Sequence, residues 1–255
     1  PLAGAIPLSP TLDTACAITL SVRDAVLLHE ILAARRVALP GRPLRAARFA
    51  VPRTTMLDGL DNTVARAFER SLATLRAKGA SIEELVLPEL VELGSLQTRA
   101  AFTAAESFAW HRKYLAQHGA EYDPRVALRI RTGEFMQAAD YIELHAARRA
   151  WIVRMQARLQ GFDAMLSPTV PVVAPPLLPL LADDELFFRT NAALLRNPSV
   201  VNMLDGCALS LPCQQPDELP VGLMLWAGAH QDDRLLDLSL AVEAALAVTA
   251  PRRTA

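Results

Sequence analysis

Two lysines, three cysteines and eleven glycines in 255 residues leave little material for several common kinds of site. Cys16, Cys207 and Cys213 are an odd set without metal-ligand spacing, which excludes a disulfide frame and predicts reduced, mostly buried thiols. His111, His118 and His145 are scattered, without a close pair and a carboxylate, so neither a metal nor a cofactor is expected. Glycine never occurs as a neighbouring pair. No Gly/Ser-rich run is therefore present to aim backbone N–H groups at a developing oxyanion. No apolar run reaches the roughly 18–20 residues that cross a membrane, and residues 1–6 are too short and uncharged for a secretory signal. The expected location is the cytoplasm, with no membrane partner. A net charge of −1 lacks the one-signed field of a nucleic-acid-binding surface, so no nucleic acid partner is expected.

What the chain does have is apolar material, 52% of its residues, enough for one large domain or two small ones. Residues 208–212 (ALSLP) and 220–228 (PVGLMLWAG) are short apolar runs split by a polar bend from Gln214 to Glu218. Runs of that length bounded by Pro, Gly and acids read as two buried inner strands of one sheet. Residues 199–204 ahead of them allow one helical turn or so. After them, residues 232–248 predict an amphipathic helix with Leu235, Leu236, Leu238, Leu240, Val242 and Leu246 on its apolar face and Asp232 and Asp233 at its N-terminus.

The earlier part alternates extended and helical patterns. Pro7 and Pro10 exclude an interior helix from residues 7–14 (PLSPTLDT), where Ser9, Thr11 and Asp13 suit turns by bonding nearby backbone groups. Ser21 then N-caps a helix over residues 21–34, with Asp24 three positions on. A strand at 48–52 (RFAVP), a helix over 61–78 closed by Gly79 and a strand at 81–87 form a crossover unit, hence a sheet at least partly parallel. Residues 90–160 are almost wholly helical: 90–119 as one long or two short helices, 123–132 behind the cap Asp123-Pro124, and 135–160. Arg148, Arg149, Arg154 and Arg158 read as a solvated face paired with nearby acids. Residues 163–166 are strand-like, Ser167-Pro168-Thr169-Val170-Pro171 leaves the sheet extended, and 177–196 is a loop and helix.

Ser210, Asp205 and His230 supply the types of a Ser-His-acid triad, but Ser210 lies in an apolar strand with no strained Gly turn around it. Cys207 beside Gly206 has no identifiable His partner and reads as a small buried hydrophobe.

Three stretches in order resemble the amidase signature family, whose members hydrolyse carboxamides. They are Arg196-Asn197 with Asn202, ALSLP, LPVGLML and a closing helix with Glu243; PLSPTLDT followed by SVRDAVLLHEILA; and DAMLSPTVP at 163–171. The chain departs from the pattern at Cys16-Ala17, where relatives usually carry Gly-Pro, and at Leu20, where Arg is usual. The resemblance implies an α/β fold, a mixed, largely parallel sheet covered by helices, here incomplete. It also implies a Ser nucleophile after a Gly/Ser-rich run, a second Ser and a Lys. Those parts are missing, so residues 1–255 are expected to be the C-terminal portion of one amidase domain, with no catalytic residue of its own and the catalytic half upstream of Pro1. The chain alone is then expected to be inactive.

Thr169, in the DxxLxPTxP pattern that lines the family's substrate cleft, is an expected substrate-binding residue. Residues 129–135 (RIRTGEF) are similar to a segment of the glutaminase subunit of tRNA amidotransferases in which an Arg binds the substrate carboxylate. That makes Arg129 the second expected substrate-binding residue. The same subunit carries an Asp for the substrate amino group where this chain has Leu195, which argues for a general carboxamide over free glutamine. The alternatives are a glutamine-hydrolysing amidotransferase subunit, with a partner and an ammonia path, and a non-catalytic interaction domain. The expected partner is a small-molecule carboxamide, and uncovered apolar surface favours association, a homodimer included.

Overall fold

The Ser21 hydroxyl accepts a hydrogen bond from the Asp24 amide at 3.1 Å and starts α1 (Val22–Ala33), which Ala34 ends in the left-handed conformation. A loop and a 3-10 turn lead to β1 (Arg48–Pro52). Asp61 caps α2 (Asn62–Ala77) through the Val64 amide at 2.7 Å, and Val64, Phe68, Leu72 and Leu75 are buried along one face. Each such side chain contributes about 1.5–3 kcal/mol by burial. β2 (Ser81–Leu85) then returns parallel to β1. The computed structural model describes residues 2–99 and 102–247, so α3 (Glu89–Arg99) and α4 (Phe102–His118) flank two residues outside the description. The last residue of the predicted C-terminal helix, Val248, also lies outside the described residues.

Asp123 caps α5 (Pro124–Arg131), and a 3-10 turn precedes α6 (Ala138–Leu159). The chain continues through β3 (Ala164–Pro168), α7 (Leu177–Ala182), α8 (Asp184–Met203), β4 (Cys207–Pro212), β5 (Gly222–Ala227) and α9 (Asp232–Ala247). The five strands form one mixed sheet in the order β2-β1-β3-β5-β4. β2, β1 and β3 pair in parallel and β5 runs against both β3 and β4, so four strands point one way. Strand alternation sends Phe49, Val51, Leu166, Leu223 and Leu225 to a core with α1, α2 and α9. Ala50, Met165, Met224 and Trp226 go to a second core with α3, α6 and α8.

Four expectations need correction. β4 is an edge strand rather than an inner one: β5 is its only partner in the described sheet, and Ala208, Ser210 and Pro212 are exposed. Residues 199–204 are not a separate turn. They close the 20-residue α8, which continues through Pro198. Asn197 beside that proline is fully buried and doubly bonded to two other elements, and this anchoring outweighs the backbone bond that Pro198 forfeits. Arg148 is buried rather than solvated, because its guanidinium reaches across to bond the Met203 carbonyl at 2.9 Å and Asp205 at 2.5 Å. Arg154 and Arg158 do pair with acids, with exposed Glu92 and with half-buried Glu89. Of the thiols, Cys16 is exposed and Cys207 and Cys213 are half-buried.

Candidate functional site

Three of the strands that point the same way end in proline: Pro52, Pro168 and Pro212. β5 starts at Gly222 opposite Pro212, so these four termini lie along one rim of the sheet. Proline has no N–H, so each of these strands lacks one backbone donor near the point where the chain leaves the sheet. The crevice outside the carboxyl ends of strands is where open α/β sheets bind their ligands.

Just past Pro168, the Thr169 amide donates to the Gly222 carbonyl at 2.8 Å, and the Thr169 and Ser210 hydroxyls share a 2.5 Å hydrogen bond. Gly222 makes the pair possible, since a Cβ at that position would overlap both hydroxyl oxygens. The extended segment that follows is held by Asp61. Its amide donates to the Pro171 carbonyl at 3.0 Å, and one carboxylate oxygen accepts from the Val173 amide at 2.7 Å while the other caps α2. From α8, Asn197 donates to the Met56 carbonyl at 3.0 Å and the Pro168 carbonyl at 2.8 Å, tying the turn after β1 to the end of β3. Arg196 beside it donates to the Asp58 carbonyl at 2.7 Å. Burial holds the Arg196 guanidinium below its usual pKa, against the opposing pull of the Asp58 carboxylate. Among the described residues no carboxylate comes within ion-pair distance of it.

Thr169 thus stands on the rim. Arg129 is exposed in the last turn of α5, which packs on α4 and the 3-10 turn after it. Among the described residues no hydrogen bond or ion pair links Arg129 to Thr169. The residue types of a triad are not assembled: Asp205 is held by Arg148, Ser210 sits on the rim, and His230 lies beyond the far end of β5. His111 bonds the Tyr122 hydroxyl at 2.7 Å, His118 bonds Glu121 at 2.9 Å, and His145 packs edge-on against Phe102 and Tyr141. Among the described residues no cluster of three metal-ligating side chains exists. An open depression of about 290 Å³ lies at the opposite end of the sheet, but its Asp163 is already engaged by Arg42 and Arg234.

Sequence reasoning missed the Ser210 partner and the tertiary role of the N-terminal stretch. Asp13 does bond locally, accepting from the Leu8 and Ser9 amides at 3.0 Å. Ser9 and Thr11 instead reach Glu106 on α4, which also accepts from the Tyr141 hydroxyl at 2.5 Å. Burial alone raises the Glu106 pKa, yet the donors from Ser9, Thr11 and Tyr141 outweigh it and leave the carboxyl below its ordinary value of 4.5. Asn202 completes the attachment by donating to the Leu12 carbonyl at 2.7 Å. Glu243, at the other end of the chain, accepts from the Val22 amide at 2.9 Å, so the C-terminal helix satisfies the first turn of α1.

Residues 1–236 match the Amidase family. The chain belongs to that family. Among relatives it is 29% identical to the 2-amino-5-chloromuconic acid deaminase of Comamonas testosteroni, over 96% of this chain and 54% of that protein. It is 32% identical to the indoleacetamide hydrolase of Rhizobium radiobacter, over 94% of this chain and 56% of that protein. A crystal structure of an amidase superposes with a TM-score of 0.81 at 31% identity, covering 95% of this chain and 55% of the other. The amidase fold expected from sequence is therefore observed, and the chain spans about half the length of the curated relatives it matches.

Proposed function

We propose that the protein to which this amidase chain belongs hydrolyses a small carboxamide to a carboxylic acid and ammonia or an amine. The observation that carries this reading is the family match over residues 1–236. It is supported by 32% identity to a hydrolase named for an aryl acetamide. In this reading residues 1–255 are the C-terminal portion of one amidase domain, and the Ser nucleophile, second Ser and Lys belong to a catalytic half upstream. The absence of a Gly/Ser-rich run supports that division, as do the positions of the two lysines, Lys78 at the end of α2 and Lys113 within α4.

The Ser oxygen of that half adds to the amide carbon while its proton passes through the second Ser to the neutral Lys. Collapse of the tetrahedral adduct expels the amine, which takes the proton, and water then cleaves the acyl ester. This chain supplies the wall of the cleft. The Thr169 hydroxyl, oriented by Ser210, offers a hydrogen bond to the bound amide, and Arg129 offers a guanidinium to a substrate that carries a carboxylate. Leu195, apolar and half-exposed on α8, favours a general carboxamide over glutamine.

The test is to assay the full-length gene product and residues 1–255 against indole-3-acetamide, benzamide and glutamine, with hydroxylamine trapping of the acyl group. The expected result is aryl-amide turnover by the full-length protein and none by residues 1–255. Acyl transfer to a residue within 1–255 would overturn the division of labour. Preferential hydrolysis of glutamine would move the protein to the amidotransferase type.

A further inference from the structure

We infer that the gap where β3 and β5 part, at the end of the sheet opposite Thr169, is a binding site for a small carboxylate with an apolar body. The last pair that joins the two strands is Met165 with Trp226. Beyond it, in the described sheet, Ala164 pairs with Phe49 of β1 and Ala227 with Cys207 of β4. The resulting depression holds about 290 Å³ between the end of α6 and the start of α9. Small-molecule sites run from about 300 to 1,000 Å³, so this one suits a compact ligand.

Its lining has two chemistries. The inner wall is apolar, with Leu159, Met165 and Ala227 buried and Phe162 half-buried. At the mouth stand Gln156, Gln160, Gln231 and Arg234. Among the described residues none of the three carboxamides has a hydrogen-bond partner, and neither has the Arg234 guanidinium. Arg234 lies 3.8 Å from Asp163 Oδ1, within ion-pair range but beyond hydrogen-bond reach.

The acids nearby are already committed. Asp163 Oδ1 accepts from the Arg42 guanidinium, and Oδ2 accepts from the Arg48 amide at 2.9 Å. Asp233 accepts from Arg35 and the Ala38 amide, and Asp237 from the Gly41 and Arg42 amides at 2.9 Å. Asp232, the remaining acid at the start of α9, does not line the depression. Arg234 therefore keeps its planar fork of donors for a ligand, and that fork matches the two oxygens of a carboxylate. The glutamine amides add donors to the same oxygens. An aryl or alkyl body behind the carboxylate displaces water from Leu159, Phe162 and Met165.

The experiment titrates the full-length gene product with phenylacetate, 2-phenylethanol, acetate and inorganic phosphate, read by calorimetry and by the shift in melting temperature. Phenylacetate is expected to bind most tightly. The neutral 2-phenylethanol is expected to bind at least about tenfold more weakly, the difference made by a charged hydrogen bond. Arg234→Gln is expected to weaken phenylacetate by a similar factor. The melting temperature of that variant without ligand should stay unchanged, because its pairing with Asp163 is long and partly exposed. Gln156→Leu gives a second, independent variant at the mouth and is expected to weaken phenylacetate less. Thr169→Val, at the other end of β3, is expected to leave phenylacetate binding intact.

Equal binding of phenylacetate and 2-phenylethanol overturns the proposal, as does unchanged binding in both Arg234→Gln and Gln156→Leu. Binding kept in Arg234→Gln but lost in Thr169→Val puts the ligand on the rim and overturns it as well. Acetate or phosphate bound as tightly as phenylacetate overturns the assignment of an apolar body. Because every readout is binding, absence of amide turnover leaves this inference standing.

Discussion

Asn197 shows how much one buried amide can organise. Its Nδ2 donates to the carbonyls of Met56 and Pro168, so Asn197→Leu leaves two acceptors unpaired. Urea denaturation is expected to show a loss of about 2–4 kcal/mol. Glu106 sets an acid limit. Its folded pKa lies below the ordinary 4.5, so the carboxylate contributes stability above 4.5 that is lost as pH falls through the lower folded value. The melting temperature of the native chain is expected to drop over that range, and Glu106→Gln is expected to flatten the drop while lowering the plateau. The thiols should separate by reactivity. Burial pushes Cys207 up to about 12, first by desolvation and then by the Asp232 charge, while Cys16 is exposed. Iodoacetamide at pH 8 is expected to label Cys16 and spare Cys207, as mass spectrometry would read. Labelling of Cys207 first would contradict the burial described for it.

Among the elements, close backbone approaches are the sensitive points. Gly133, in the 3-10 turn after α5, faces the Ala104 carbonyl of α4 so closely that a Cβ has no room. Gly133→Ala is expected to destabilise by about 1–3 kcal/mol through overpacking, read as an earlier denaturation midpoint with unchanged slope. Local chemistry made several elements legible. Ser21 and Asp123 act as the N-caps that their residue types predict, and β1 spans the residues that its apolar pattern marks out. The carry-through of α8 past Pro198 was not legible, because the bonds that hold Asn197 come from Met56 and Pro168, far away in sequence. Arg148 likewise sits among basic residues that look solvated in sequence, and only the end of α8 turns it inward.

For the molecule as a whole, the surface ahead of α1 is expected to govern association. Ile18→Glu with Leu20→Glu, at two fully exposed positions, is expected to reduce self-association in light scattering. Stability should move by no more than about 0.5 kcal/mol, as for surface sites with no buried contact. The Thr169 and Ser210 hydroxyls, 41 residues apart in the chain, belong to the same scale because only the sheet brings them together.

By itself the sequence determined most of the elements, the crossover and the family resemblance, since propensity, capping and periodicity are local properties of a chain. The tertiary structure alone decided that β4 lies at an edge, that the Thr169 and Ser210 hydroxyls meet over Gly222, and that Glu106 gathers Ser9, Thr11 and Tyr141. Strand order and long-range hydrogen bonds depend on which surfaces pack together, and no window along the chain contains both partners.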